Sequence, residues 1–130
     1  MKHKDLTGKI IECAYKVYNT LGFGFLESVY HNALTIELQK AGLNAKREVA
    51  VKVFYDERIV GDYLADIIVE DTVILELKSV KEPHPAHEAQ LTNYLKATGI
   101  EVGLLINFGG ERVDVKRKVF TPAAGGMSAP

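Results

Sequence analysis

The sequence is short of cysteine and of long apolar stretches, and each shortage excludes a class of protein. Its single cysteine, Cys13, excludes an internal disulfide and any cysteine-rich zinc site. No apolar run approaches the ~20 residues of a membrane-spanning helix. The first ten residues, MKHKDLTGKI, contain no apolar stretch of the kind found in signal peptides. We therefore expect a cytoplasmic protein that makes no membrane contact.

The sequence also has no large excess of charge of either sign. It has 16 lysines and arginines and 17 aspartates and glutamates, which give a net charge of −1. Such a balance does not fit a protein that coats nucleic acid without specificity. Contacts with nucleic acid would have to come from a bound metal or from local basic residues. The candidates are Lys46, Arg47, Lys81 and the run 116–118, which is either a phosphate-binding patch or a guard on an edge strand.

The 130 residues suffice for one domain with a substantial core. Hydrophobic periodicity predicts helices over 5–21, 25–40 and 85–98, and strands over 44–56, 100–107 and 112–120, with a β-hairpin over 61–80. We therefore expect a single α/β (α+β) domain over 1–120. An antiparallel meander and a parallel crossover would form a mixed central sheet flanked by helices. The small, breaker-rich segment 121–130 is predicted to be a disordered tail.

The hairpin, GDYLADIIVEDTVILELKSV, carries the most informative charges. If Val69 pairs with Val73, Asp66 lies opposite Glu76, with Cβ atoms about 5 Å apart. Lys78 lies on the same face as Glu76, because side chains alternate along a strand. We expect that face to carry Leu64 and other apolar residues as well.

Two interpretations of these charges stay open. Like charges opposite each other in an apolar sheet are destabilising. A divalent cation would compensate, and Mg²⁺ takes oxygen ligands from one or two carboxylates. Alternatively, the hairpin is half-exposed and its charges are solvated. Apolar residues on both faces favour a sheet that is covered on both sides, and so favour a site.

Other candidate residues lie on the helices and have ordinary explanations too. Glu27, in the first turn of the second helix, is also well placed to stabilise a helix N-terminus. Gln90 and Tyr94 lie one turn apart on the third helix, where core packing is the alternative. His84 and His87 could bind a metal, although no cysteine accompanies them.

The order of these elements and motifs resembles the PD-(D/E)xK nuclease superfamily, and more closely its small prokaryotic GxxExxY family. The family signature is matched by Gly24, Glu27 and Tyr30, and the superfamily motif by Asp66 and the Glu-x-Lys at 76–78. The stretches QLTNYL at 90–95 and GLLINF at 103–108 are similar too. The resemblance covers about residues 5–120, and it implies a restriction-endonuclease-like core and nuclease activity.

The resemblance also implies roles for individual residues. Asp66 and Glu76 would hold Mg²⁺, or Mn²⁺, with help from the Leu77 backbone carbonyl. Lys78 would position the attacking water and stabilise charge on the phosphate. Glu27 would reach the metal through water.

On the third helix, Gln90 and Tyr94 would orient the phosphate or support the lysine. Three positions depart from the family pattern: Ala65 replaces a proline, Tyr18 stands where relatives often have histidine, and Phe23 where they often have proline. None of these changes touches the Glu-x-Lys motif. They leave open whether the roles of those positions survive.

Three hypotheses about function follow. The first is a Mg²⁺-dependent nuclease that hydrolyses phosphodiester bonds in nucleic acid, where DNA is favoured over RNA and both stay open. The second is a catalytically silent nuclease fold that binds nucleic acid or a protein, since fold alone does not establish function. The third is a stress or defence component that acts within a complex. A homodimer and a partner protein are both compatible with the sequence.

Overall fold

Three helices and five strands follow one another in the predicted order in the computed structural model, which describes residues 2–121. They are α1 (Lys4–Leu21), α2 (Glu27–Lys40), β1 (Ala45–Tyr55), β2 (Arg58–Val69), β3 (Val73–Lys78), α3 (Pro85–Thr98), β4 (Val102–Asn107) and β5 (Asp114–Val119). The predicted tail lies outside the described residues, apart from its first position. Within the described part of the chain, no helix is long and apolar enough to cross a membrane.

The five strands form one sheet in the order β1-β2-β3-β4-β5. The first three strands are an antiparallel meander. β3 and β4 are parallel and are joined through α3, and β5 is antiparallel to β4. The predicted mixed sheet is therefore confirmed.

Side chains alternate along a strand, so the apolar strands of this sheet carry apolar residues on both faces. Helices cover both of these faces. On one face, α1 and α2 pack apolar residues such as Ile10 and Leu34 against Leu75 of β3. On the other face, α3 packs Leu91 against Ile74. Full burial of such a side chain contributes about 1.5–3 kcal/mol.

Two local features set the position of α3. Pro85 occupies the first turn, and the Nδ1 atom of His84 accepts a hydrogen bond from the Ala86 N–H at 2.9 Å. Gly103 of β4 lets the helix approach the sheet, because a Cβ there would lie 2.7 Å from Cδ1 of Leu91. The helix consequently packs its inward side, including Tyr94, against the face of the sheet that carries Ile74 and Leu105.

Strand β2 changes the face of its side chains at Asp66. Ile67 belongs to the cluster under α1 and α2, whereas Ala65, two residues away, belongs to the cluster under α3. Opposite this point Glu48 has φ 49°, in the left-handed region that few residues adopt. The prediction that Leu64 lies on the face of Glu76 is therefore wrong, because the kink reverses the alternation that we extrapolated and places Ala65 on that face instead. Leu64 is 58% exposed.

Candidate active site

Two carboxylates meet where β2 and β3 separate. The paired register ends at Ile67 opposite Leu75, so the next opposed positions are Asp66 and Glu76. Oε1 of Glu76 accepts a hydrogen bond from the Asp66 N–H at 3.1 Å, and Oδ2 of Asp66 accepts one from the Leu77 N–H at 2.7 Å. Each carboxylate is thus held by the backbone of the opposite strand, in a place where strand pairing has stopped.

The short turn between the strands sets this register. Val69 pairs with Val73 across three residues, and two of them, Glu70 and Asp71, have φ 54° and 51°. The Thr72 N–H closes the turn by donating to the Val69 carbonyl at 2.9 Å. The turn therefore brings Asp66 level with Glu76, and the two cross-strand hydrogen bonds described above hold their carboxylates next to each other.

Glu76 is an unusual carboxyl because it is almost completely buried, at 4% exposure. Burial and the nearby negative charge of Asp66 raise the pKa of Glu76 to about 8, although the Asp66 N–H and Lys78 oppose the shift. Without a cation, Glu76 therefore keeps its proton at neutral pH. An added cation would relieve both causes.

Lys78 is half-buried at the end of β3, two residues from Glu76 and on the same face. The chain after it is tied down by the buried amide of Asn107. Its Oδ1 accepts hydrogen bonds from the Val80 and Gly109 N–H groups, and its Nδ2 donates to the Val80 carbonyl at 2.9 Å. Sequence analysis assigned no role to Asn107. In the structure, the hydrogen bonds of Asn107 fix the segment that follows Lys78.

Glu27 begins α2 and faces the same cluster. Burial raises the pKa of Glu27, the positive charge of Lys78 lowers it, and the negative charge of Asp66 raises it. The sequence prediction placed Glu27 beside these groups, and the structure brings them together.

The loop before Glu27 is held by Tyr30, which is fully buried. The Tyr30 hydroxyl donates to the Gly22 carbonyl at 2.6 Å and accepts from the Phe25 N–H at 3.3 Å. Its ring stacks on Phe108, with centroids 4.7 Å apart. In addition, the Ser79 hydroxyl donates to the Phe25 carbonyl at 2.9 Å. The Gly24–Tyr30 segment is therefore attached to the end of β3, and this attachment places Glu27.

His31 contacts the site from α2, which sequence analysis did not predict. Its Nε2 lies 3.1 Å from the backbone carbonyl of Asp66. Since a carbonyl only accepts, this ring nitrogen must carry the hydrogen. The available sequence signal was its spacing from Glu27, because residues four apart share one side of a helix.

The two predicted site residues of α3, Tyr94 and Gln90, differ in their relation to the carboxylates. Tyr94 is 4% exposed, and burial with the charges of Glu76 and Asp66 raises the pKa of Tyr94 to about 12, so its hydroxyl keeps its proton. Gln90 is half-buried one turn earlier. Among residues 2–121, no hydrogen bond joins Gln90 to Asp66, Glu76 or Lys78. Its role stays a prediction.

The donor set suits a hard cation better than a transition metal. In the part of the chain described, no group of three or more His, Cys, Asp and Glu side chains is close enough to hold a metal ion. Burial and the positive charges of Lys78 and His84 lower the pKa of His87. Asp66 and Glu76 each have a second oxygen, outside the two hydrogen bonds above. The two carboxylates match Mg²⁺, which takes one or two carboxylates and retains several waters.

The predicted basic patch at 116–118 is divided between the two faces of β5, which is an edge strand. Lys116 and Lys118 both pair with Glu88, at 3.3 and 2.5 Å. On the other face, Arg117 donates to the Thr7 hydroxyl at 3.4 Å. Lys46 pairs with Asp71 at 2.8 Å. The two carboxylates of Asp71 and Glu88 thus offset part of the positive charge of the candidate basic surface.

The sequence model of the PD-(D/E)XK nuclease superfamily matches residues 4–118. The chain belongs to this superfamily. PD-(D/E)XK nucleases generally use divalent metals, which agrees with the buried acidic pair. The assignment to this superfamily, which rested on the motifs at Asp66 and Glu76, is confirmed.

Two solved structures are similar to this chain in fold. The crystal structure of SSO0001 is 22% identical with a TM-score of 0.56, over 72% of this chain and 50% of that one. An alkaline exonuclease, LHK-Exo from Laribacter hongkongensis, is 13% identical with a TM-score of 0.54, over 93% of this chain and 72% of that one. This chain thus spans half the length of SSO0001. No curated protein matches it. The predicted restriction-endonuclease-like core is confirmed.

Proposed function

We propose that this protein is a Mg²⁺- or Mn²⁺-dependent nuclease that hydrolyses phosphodiester bonds in nucleic acid. The observation that carries the proposal is the convergence of Asp66 and Glu76 at the point where β2 and β3 separate, with Lys78 following on the same face. Membership of a nuclease superfamily gives this cluster a chemical context.

We also propose that the protein is a member of the small prokaryotic GxxExxY family and acts in the cytoplasm. The support is that the signature residues have distinct places: Tyr30 holds the loop, and Glu27 faces Asp66 and Lys78. Residues 1–120 would form the nuclease domain. A homodimer or a partner protein would extend its small binding surface.

The proposed metal ligands are Asp66, Glu76 and the Leu77 carbonyl, with Glu27 acting through water. Bound there, the cation would lower the pKa of a water molecule and stabilise charge on the phosphate. One oxygen of each carboxylate accepts a hydrogen bond from a backbone N–H, and these two bonds position the pair. The second oxygen of each is left to face the cation.

The remaining residues would act directly on the substrate. Lys78 would position the attacking water and stabilise the negative charge that develops on the phosphate, because an ammonium group in a water-poor site acts strongly on charge. Tyr94 would donate a hydrogen bond from its neutral hydroxyl. Gln90 would orient the phosphate.

A second candidate function is a catalytically silent module that binds nucleic acid or a protein. It is favoured by the net charge of −1 and by the pairing of Lys116 and Lys118 with Glu88. These observations reduce the positive charge that would attract a polyanionic substrate. They do not touch the carboxylate pair, so we place nuclease activity first.

The experiment is cleavage of single- and double-stranded DNA and RNA in Mg²⁺, in Mn²⁺ and in EDTA, with Glu76→Ala as the inactive control. We expect cleavage that requires metal and Glu76, with DNA cut faster than RNA. If wild type cleaves none of these substrates in either metal but still binds one of them, the binding-module hypothesis replaces this one.

A further inference from the structure

Tyr63 extends the candidate site along β2. It lies three residues before Asp66, about 10 Å along the strand. It pairs with Val51, which belongs to the cluster under α3, so its ring lies on the α3 side of the hairpin. There it contacts Tyr94, with ring centroids 5.8 Å apart and planes tilted by 45°. Tyr63 therefore touches a residue whose pKa responds to Glu76 and Asp66.

The orientation of the Tyr63 ring is set by its neighbours. A Cβ at Gly61 would lie 2.8 Å from Cε2 of Tyr63. The Tyr63 ring therefore lies beside Gly61, where a larger residue would clash with it. Even so, 46% of Tyr63 stays exposed. The result is an aromatic ring that packs beside Gly61 and Tyr94 while nearly half of the residue stays exposed to solvent.

This surface is suited to a nucleobase. Aromatic side chains bind single-stranded nucleic acid by stacking on bases, whose flat faces are occupied by neighbouring bases within a duplex. Stacking also needs no positive charge, which matters here because Lys46, Lys116 and Lys118 are already paired. At about 3.4 Å per stacked nucleotide, 10 Å corresponds to about three nucleotides from the carboxylate pair.

We infer that Tyr63 stacks on an unpaired base near the phosphate that is cleaved, and that the substrate is single-stranded nucleic acid or a strand with unpaired bases at this place. The inference rests on the proposed nuclease function and gives its substrate class. Tyr63 selects the substrate, and the carboxylates and Lys78 act on it.

The test measures binding in EDTA, where cleavage does not interfere. A labelled single strand of about twelve nucleotides, within the usual site size of 4–16, and its duplex are titrated with wild type, Tyr63→Ala and Tyr63→Phe. Tyr55→Ala is the matched control, because Tyr55 is an exposed tyrosine at the turn between β1 and β2, away from Asp66. We expect Tyr63→Ala to weaken single-strand binding by about 5-fold to about 150-fold, the range for one stacked base. Tyr63→Phe, Tyr55→Ala and duplex binding should be unchanged.

Strands with one abasic position separate stacking from general damage to the fold. If the ring stacks on one base, removing that base should weaken wild type and leave Tyr63→Ala unaffected. Tyr63→Leu keeps the apolar contact with Tyr94 without an aromatic face, so it should bind like Tyr63→Ala while retaining the wild-type melting temperature. Gly61→Val should displace the ring and also weaken single-strand binding.

The inference would be overturned if Tyr63→Ala bound every single strand with wild-type affinity. It would also be overturned if the abasic position weakened binding equally in wild type and in Tyr63→Ala. Cleavage in Mg²⁺ is measured in parallel. Efficient cleavage of duplex and single strand alike by both proteins would refute the role of Tyr63 while leaving the nuclease proposal intact. Failure of wild type to cleave any substrate would refute the nuclease proposal, whatever the binding result.

Discussion

Glu76→Gln should make the metal-free protein more stable at alkaline pH. The substituted amide oxygen can still accept the hydrogen bond from the Asp66 N–H, but the buried negative charge is gone. At acidic pH, Glu76 is protonated and resembles glutamine, so the two proteins should have similar free energies of unfolding.

The magnitude follows from the pKa of Glu76, which rises from 4.5 in the unfolded chain to about 8 in the folded protein. Below pH 4.5 the carboxyl is protonated in both states and contributes no pH dependence. Between 4.5 and about 8 the unfolded chain releases a proton that the folded protein keeps, so the free energy of unfolding falls as pH rises. At about 1.4 kcal/mol per pH unit, the loss is on the order of 5 kcal/mol, which Glu76→Gln would avoid.

The assay is urea unfolding in EDTA, followed by circular dichroism at several pH values across this window. The stability difference between Glu76→Gln and wild type should grow from near zero to several kcal/mol. Glu12→Gln, an exposed glutamate of α1, is the control and should stay within about 0.5 kcal/mol of wild type throughout. Parallel stability curves for wild type and Glu76→Gln would show that Glu76 carries no buried charge, and would refute the reasoning.

Metal should reverse the alkaline loss in wild type alone. A cation that binds only the folded state stabilises it by RT ln(1 + [L]/Kd), about 2.7 kcal/mol at a hundredfold excess over Kd. Mn²⁺ should therefore raise the melting temperature of wild type and have much less effect on Glu76→Gln. If wild type shows no rise at any reachable concentration, the catalytic hypothesis falls behind the binding-module hypothesis.

Three further substitutions test the surroundings of the pair. Lys78→Met should reduce cleavage by about 10²–10³-fold, as loss of a charge-stabilising group does, with little change in urea unfolding; near-normal turnover would remove Lys78 from the mechanism. His31→Ala should weaken Mn²⁺ binding by about 10–100-fold in melting-temperature titrations, because the substitution frees the Asp66 backbone. His31→Gln can still donate to the Asp66 carbonyl and should largely restore Mn²⁺ binding. Equal losses in both variants would contradict a positioning role for His31. Gln90→Ala should lower turnover more than stability, and matching losses of both would favour simple core packing.

Much of the candidate site could be predicted because it depends on covalent geometry. Side chains alternate along any strand, so Glu76 and Lys78 had to share a face once the Glu-x-Lys segment was recognised as β-structure. The three-residue turn after Val69 then placed Asp66 opposite Glu76. The helix limits followed from similarly local features, such as Pro85 at the start of α3 and Gly99 at its end.

The rest depended on contacts between residues far apart in the chain. The hydrogen bond of His31 to Asp66 spans 35 positions, and the amide of Asn107 reaches 27 positions back to Val80. The kink of β2 at Asp66, which turned Leu64 outward, arises where the opposite strand has its left-handed residue, Glu48. Periodicity describes how neighbours along one element alternate, and so it determined which residues share a face. Only the packing of α2, α3 and the sheet decided which distant backbone groups hold the carboxylates, because those partners are set by three-dimensional proximity.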